Sequence, residues 1–239
     1  MSHSWSDPLT GSRPPPKVNG KASNMSDGND SQESNHRIAN SLALVSGLIR
    51  IRASDVASRT EPLSPGEAAG MMREAAARVD HVGRVHRLLT SSAEGDLTVA
   101  PFLADVCAGI AGSVSGMDTI SFTDQSLALK MPATRLNTLG LFVAEALTNA
   151  FKHAHPSGVH GRVEVIVEKV GADVQVSIQD DGVGLPEGFD AAKDGGLGMR
   201  ILRSLGQQLD GVLSLEPSDL GLRVVLKAPL RSPVPAIQP

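Results

Sequence analysis

Apolar residues at Ile38, Leu42, Val45, Ile49 and Val56 recur at steps of four, three, four and seven, with Arg52 interrupting the stripe. That is the period of a helix with one buried seam. The predicted helix runs from Glu33 to about Ser58, and Pro62-Leu63-Ser64-Pro65-Gly66 ends it. Ala68, Met72, Ala75, Val79, Val82 and Leu89 then repeat the same rhythm, with His86 as the exception. Two such helices joined by a short Pro-containing loop form an antiparallel hairpin. One hairpin leaves the far side of its seam in water, and pairing two hairpins into a four-helix bundle buries it. The pattern therefore predicts a homodimer through residues 33–93.

Past a predicted loop at Ala93 to Asp96 the pattern changes. A helix is expected around Pro101 to Ser113, short strands near Ser121 and over Leu127 to Met131, and a long helix from about Thr134 to Ala154. Residues 163–168 and 174–178 largely alternate apolar and polar side chains as half-buried strands do, with Gly171-Ala172 as the turn between them. Leu197 to Leu209 reads as a helix, and Leu213–Leu215 with Arg223–Lys227 as closing strands. One sheet with helices on a single face is the economical reading, giving an α+β sandwich behind an all-α hairpin. The expected organisation is a disordered tail at 1–30, a helical hairpin at 31–93, an α/β unit at 97–229 and a disordered end at 230–239. The tail is rich in Ser, Gly, Asn, Asp and Pro, with too few apolar groups to offset the entropy of ordering.

Composition narrows the function classes. The 239 residues carry a formal net charge of -4 and no Lys/Arg run interleaved with aromatics, so nucleic-acid binding is not expected. The single cysteine, Cys107, forms no internal disulfide and no thiolate-rich metal site, which fits a reduced, cytoplasmic setting. No apolar run reaches membrane-spanning length and the first thirty residues lack a signal-peptide pattern. Direct membrane insertion is thus not expected. Nor is a sensor domain ahead of residue 36, so sensory input is expected through a separate protein.

The candidate chemistry lies in three places. Asp180-Asp181-Gly182-Val183-Gly184 follows the second predicted strand, and Gly195-Gly196-Leu197-Gly198-Met199 opens a helix. A carboxylate at a strand mouth accepts a hydrogen bond from a base amine, and bare backbone at a helix N-terminus meets phosphates. The segment from Leu185 to Asp194 reads as a flexible lid. On the helix 134–154, Glu145, Asn149 and Lys152 share a stripe beside the apolar one. Asn149 offers a neutral oxygen suited to Mg²⁺, Lys152 or His153 suits phosphate, and Glu145 suits proton transfer or orientation. His36, two residues before Ile38, sits off the seam where another domain can reach it. Read one at a time, each of these is an ordinary feature: a solvated helix face, an Asp-Gly turn, a surface histidine.

Taken together they resemble the sensor histidine kinases of two-component signalling. Glu33-Ser34-Asn35-His36-Arg37-Ile38-Ala39-Asn40-Ser41-Leu42 resembles the phosphoacceptor box of the bacterial subfamily with a His-Arg-x-x-Asn core. Glu145 to His153 is similar to that subfamily's N box, and Asp180–Gly184 and Gly196–Met199 resemble the two glycine boxes of the Bergerat ATP fold. The resemblance covers about residues 33–229. It implies ATP and Mg²⁺ bound by Asn149, Lys152, His153, Asp180, Gly182, Gly184, Gly196, Leu197, Gly198 and Met199, with Asn149 as the metal ligand. It also implies phosphate transfer to His36 assisted by Glu145, and onward transfer to the aspartate of a response-regulator receiver domain. Ala39 stands where the subfamily usually has Lys, Leu222 where it often has Thr, and the aromatic lid box is reduced to Phe189. Two alternatives stay open at this point: a phosphotransfer protein that only relays phosphate through His36, and an anti-sigma-type serine kinase, against which the hairpin argues.

Overall fold

The computed structural model describes residues 39, 43, 46–47, 49–50, 53–54, 56–90, 96–112, 119–126, 128–155, 160–190, 195–218 and 220–232. The expected tail at 1–30 and His36 lie outside the described residues, as do 191–194 of the expected lid. Every described position from 39 to 57 is helical, in line with the first predicted helix. Helix α1 spans Pro65–Thr90. It opens with a capping box: the Glu67 amide donates to Ser64 Oγ at 3.2 Å, while the Ser64 amide donates to Glu67 Oε2 at 2.9 Å. Pro65 occupies the first helical position, where its missing N–H costs nothing.

The α1 seam does not behave as one stripe. Met72 and Val79 are 75% and 48% exposed, but Leu89 and the off-pattern Val85 are buried in this chain's own core. The second half of α1 therefore packs on the α/β unit instead of serving only a bundle. The four–three spacing could not distinguish these two uses, because both bury one helix face.

Beyond α1 come β1 (Asp96–Thr98), α2 (Val99–Ala111), β2 (Thr119–Gln125), β3 (Lys130–Pro132) and α3 (Ala133–His153). They are followed by β4 (Arg162–Val170), β5 (Asp173–Asp180), α4 (Leu197–Gln208), β6 (Val212–Ser218) and β7 (Gly221–Pro229). The main sheet has the order β2-β4-β5-β7-β6; β2 and β4 run parallel and the other neighbours antiparallel. The expectation of a single sheet needs correction. The strand foreseen at 127–131 is β3, and it pairs with β1 in a separate two-stranded ribbon, Leu97 opposite Met131. Asp96, assigned to a loop by the sequence reading, begins that ribbon.

Alternation on the central strands builds the core. Val163, Val165 and Val167 of β4 lie across from Asp180, Ile178 and Val176 of β5, and Val224, Leu226 and Ala228 of β7 continue the row. All these apolar side chains are buried. Against them pack Leu136, Leu139, Phe142, Val143 and Leu147 of α3 and Ile201, Leu202 and Leu205 of α4. Each such large side chain contributes about 1.5–3 kcal/mol on leaving water. The opposite face of the sheet carries Glu168, Gln175, Gln179 and Arg223, joined by cross-strand hydrogen bonds such as Arg223 Nε to Gln179 Oε1 at 2.9 Å. One covered and one polar face is what antiparallel pairing permits.

Arg135, buried in the first turn of α3, ties three segments together. Its Nη1 donates to Asp210 Oδ2 at 3.0 Å and to Ser232 Oγ at 2.8 Å, and its Nη2 to the Pro229 carbonyl at 2.9 Å. Residues 230–232 are accordingly held against the body, so the expected disordered end does not begin at 230. Replacing Arg135 with Met is expected to lower unfolding stability by about 1.5–3 kcal/mol, because the Leu209 and Pro229 carbonyls and the Asp210 carboxylate lose a charged donor. A urea titration reads the loss. An unchanged midpoint would mean that the staple carries no net energy.

Candidate functional site

A cavity of about 480 Å³ opens between the C-terminal half of α3, the end of β5, the segment 183–189 and the N-terminus of α4. Its floor is apolar, formed by Ile178, Leu202, Leu222 and Val224, with Met199 and Phe189 at its sides. Volume and lining suit a flat, largely apolar ring with a polar tail.

Among the described residues, the one buried carboxylate that lines the cavity is Asp180, 7% exposed at the end of β5. Its Oδ1 accepts the amides of Gly182 at 3.0 Å and Leu222 at 3.1 Å. That fixes the orientation of the carboxylate, and Oδ2 carries no hydrogen bond among the described residues. The seat depends on Gly221. Its φ is +137°, and a Cβ there would lie 2.5 Å from both the carbonyl oxygen and Oδ1 of Asp180. Gly182 does not line the cavity; it lies behind, against the Ala154 carbonyl, to which the Val183 amide donates at 2.8 Å. Next to this turn, His155 Nε2 lies 2.7 Å from Asp181 Oδ1. Burial pushes the Asp181 carboxyl up, but the Arg162 amide and His155 outweigh it and hold the group below the usual carboxylate range.

The stripe foreseen on α3 divides. Asn149, Lys152 and His153 line the cavity together with Gly184, Gly196, Leu197, Gly198 and Met199. A Cβ on Gly198 would sit 2.2 Å from Asn149 Oδ1, so the helix N-terminus approaches the Asn149 amide as closely as only glycine allows. Burial, reinforced by the Lys152 charge, lowers the His153 pKa against the opposing pull of Glu74. Its ring is therefore mainly neutral near pH 7. Glu145 stands apart. It is 4% exposed, does not line the cavity, and is held from α1 by Arg78, whose Nη2 and Nε donate to its two oxygens at 2.8 and 3.1 Å. Lys152 is likewise paired with Glu74 of α1.

Sequence reasoning missed Glu74, Arg78 and Gly221. Glu74 and Arg78 line the cavity although they belong to the hairpin. Their four-residue spacing on one helix face was the available signal. His36 lies outside the described residues.

The donor set fits a nucleotide. A carboxylate oriented by two amides at the end of an apolar slot matches an exocyclic amine, and an α4 N-terminus reached through two glycines matches phosphates. Among the described residues no group of three or more His, Cys, Asp or Glu side chains could hold a metal. A divalent cation here would take Asn149 Oδ1 as a protein ligand, with phosphate oxygens and water filling its shell, the arrangement Mg²⁺ favours. Among the described residues no helix is long and apolar enough to cross a membrane.

Comparison with known proteins points the same way. The family model described as "Histidine kinase" matches residues 33–114, and that described as "Histidine kinase-like ATPase domain" matches residues 119–226. Blue-light-activated histidine kinase 2 of Erythrobacter litoralis is 29% identical over 203 residues, covering 83% of this chain and 56% of its own. Sensor histidine kinase PdtaS of Mycobacterium tuberculosis is 30% identical over 209 residues, covering 83% of this chain and 39% of its own. The chain thus spans about half the length of these relatives. Among solved structures, the Erythrobacter litoralis EL346 blue-light activated histidine kinase superposes with a TM-score of 0.65 at 26% identity, covering 88% of this chain and 61% of that one.

Proposed function

The chain belongs to the histidine kinase family, and on that premise we propose that it binds ATP with Mg²⁺ in the cavity beside Asp180 and moves the γ-phosphate to His36. The observation that carries the reading is the seat of Asp180, a carboxylate oriented by two backbone amides above an apolar floor. Asp180 Oδ2 accepts the adenine amine, and the ring lies over Ile178, Leu222 and Val224. The phosphates run toward the amides that open α4 and toward Lys152. His153 lies at the same end. Mg²⁺, with Asn149 as its protein ligand, supplies charge neutralisation on the phosphate oxygens.

In the transfer a neutral imidazole nitrogen of His36 attacks the γ-phosphorus, the bond to the β–γ bridging oxygen breaks, and ADP departs. The proton left on the phosphoimidazolium passes to Glu145 or to solvent. The N–P bond is labile enough to deliver the phosphoryl group to an aspartate of a response-regulator receiver domain. The exposed Met72 and Val79 on α1 support a second copy of the chain as the hairpin's partner.

Incubation with γ-labelled ATP tests the reading. Acid-labile label is expected on the wild-type chain and is lost in His36→Ala. Acid-stable label on serine would overturn it in favour of a serine kinase. Label arriving only from a phosphorylated receiver domain, with none from ATP, would leave a relay protein.

A further inference from the structure

We propose that Glu74 and Arg78 form a charge latch holding α1 on the cavity wall, and that the phosphates of a bound nucleotide open it by taking Lys152. The proposal rests on the reading of the cavity as a nucleotide site. Four side chains, two from α1 and two from α3, alternate in charge along a single row: Lys152, Glu74, Arg78 and Glu145. Lys152 pairs with Glu74, Arg78 Nη1 lies 3.7 Å from Glu74 Oε2, and Arg78 grips both oxygens of Glu145. Three of the four line the cavity, and the fourth, Glu145, is sealed behind Arg78.

The two ends of the row differ in solvation. The Arg78 and Glu145 side chains are 10% and 5% exposed, so either alone would be a buried, unpaired charge. The Lys152 and Glu74 side chains are 45% and 26% exposed, a half-wet pair worth little and open to competition. A polyphosphate is a stronger partner for Lys152 than one carboxylate is, because it brings more charge and more acceptor oxygens. Once Lys152 turns to phosphate, Glu74 faces a like-charged ligand across the same cavity. Repulsion there acts on α1 one turn from Arg78. Lifting this part of α1 exposes Glu145, which is where the proposed transfer uses it. Occupancy of the site and release of the hairpin thus become one coupled equilibrium.

Coupling of this kind is reciprocal: if phosphate weakens the latch, a weakened latch must strengthen phosphate binding. In the full chain, Glu74→Gln is expected to bind ADP-Mg²⁺ about two- to fivefold more tightly by titration calorimetry, the range of a half-exposed ion pair. Adenosine binding, which lacks phosphate, stays unchanged. Amide hydrogen exchange in residues 70–82 is expected to quicken in the wild-type chain on adding ADP-Mg²⁺, and in Glu74→Gln without it. Tight ADP binding with no gain in Glu74→Gln, an equal gain for adenosine, or slower exchange in 70–82 on adding ADP would each overturn the latch and leave the nucleotide reading standing. Absence of ADP binding by both chains would instead overturn the nucleotide reading and the latch with it.

Discussion

Asp180→Asn is expected to weaken ATP binding by roughly 30- to 1,000-fold, about 2–4 kcal/mol, while leaving the fold intact. The two backbone amides that meet Oδ1 decide this outcome. They donate from Gly182 and Leu222, so an asparagine in this place must turn its carbonyl oxygen toward them. The amide NH₂ is then forced into the position of Oδ2, where the adenine amine also needs an acceptor. Donor faces donor, and the charge-assisted bond is replaced by an unsatisfied contact. Calorimetric titration with ATP reads the affinity, and a thermal melt without ligand checks that the seat survives. Retained affinity with an unaltered melt would mean that the base does not meet Asp180, and the orientation of the nucleotide in the cavity would have to be reversed.

Gly221→Ala is expected to cost about 3 kcal/mol or more of stability and to abolish binding together with it. The φ of +137° lies in a region that residues with a Cβ rarely enter, and the added methyl would meet backbone and carboxylate at 2.5 Å rather than the yielding end of a side chain. Relief requires the start of β7 to move, which withdraws the Leu222 amide from Asp180. Urea unfolding with and without ATP separates the two consequences: a lower midpoint in the absence of ligand, and no ligand-induced shift. A midpoint matching the wild type would show that the strand reaches its place without glycine.

Much of the α/β unit could be read from the chain, for identifiable reasons. Helix α3 and strands β4 and β5 are long enough for their periods to repeat several times; on β4 and β5 one face is buried, so pattern and burial agree, whereas α3 is buried on every side from Leu139 to Leu147. The cavity-lining side chains Asn149, Lys152 and Asp180 sit at fixed steps on those same elements. What escaped notice depends on distant partners or on very short segments. The three residues of β1 give no period, and only pairing with β3 makes them a strand. Val85 fell outside the hairpin rhythm because it answers to Phe102 and Gly140 of the other unit. Glu145 reads as a catalytic group from its stripe, yet it lies under an arginine 67 residues away, which no local pattern announces. Gly221 carries no motif of its own; its necessity appears only once the backbone of β5 is beside it.

The pairing of β5 with β7 has a consequence for biosynthesis. Asp180 emerges from the ribosome well before Leu222, and 42 positions separate the carboxylate from the amide that completes its orientation. A nascent chain ending at Ser218 already contains the N-box helix and both glycine boxes. It lacks the strand that holds Asp180 in place and that supplies Leu222 and Val224 to the floor. Because domains fold as units once their last element is available, the site is finished only when the C-terminal strand arrives. A chain truncated before β7 is therefore expected to lack a finished cavity, whatever signature residues it retains.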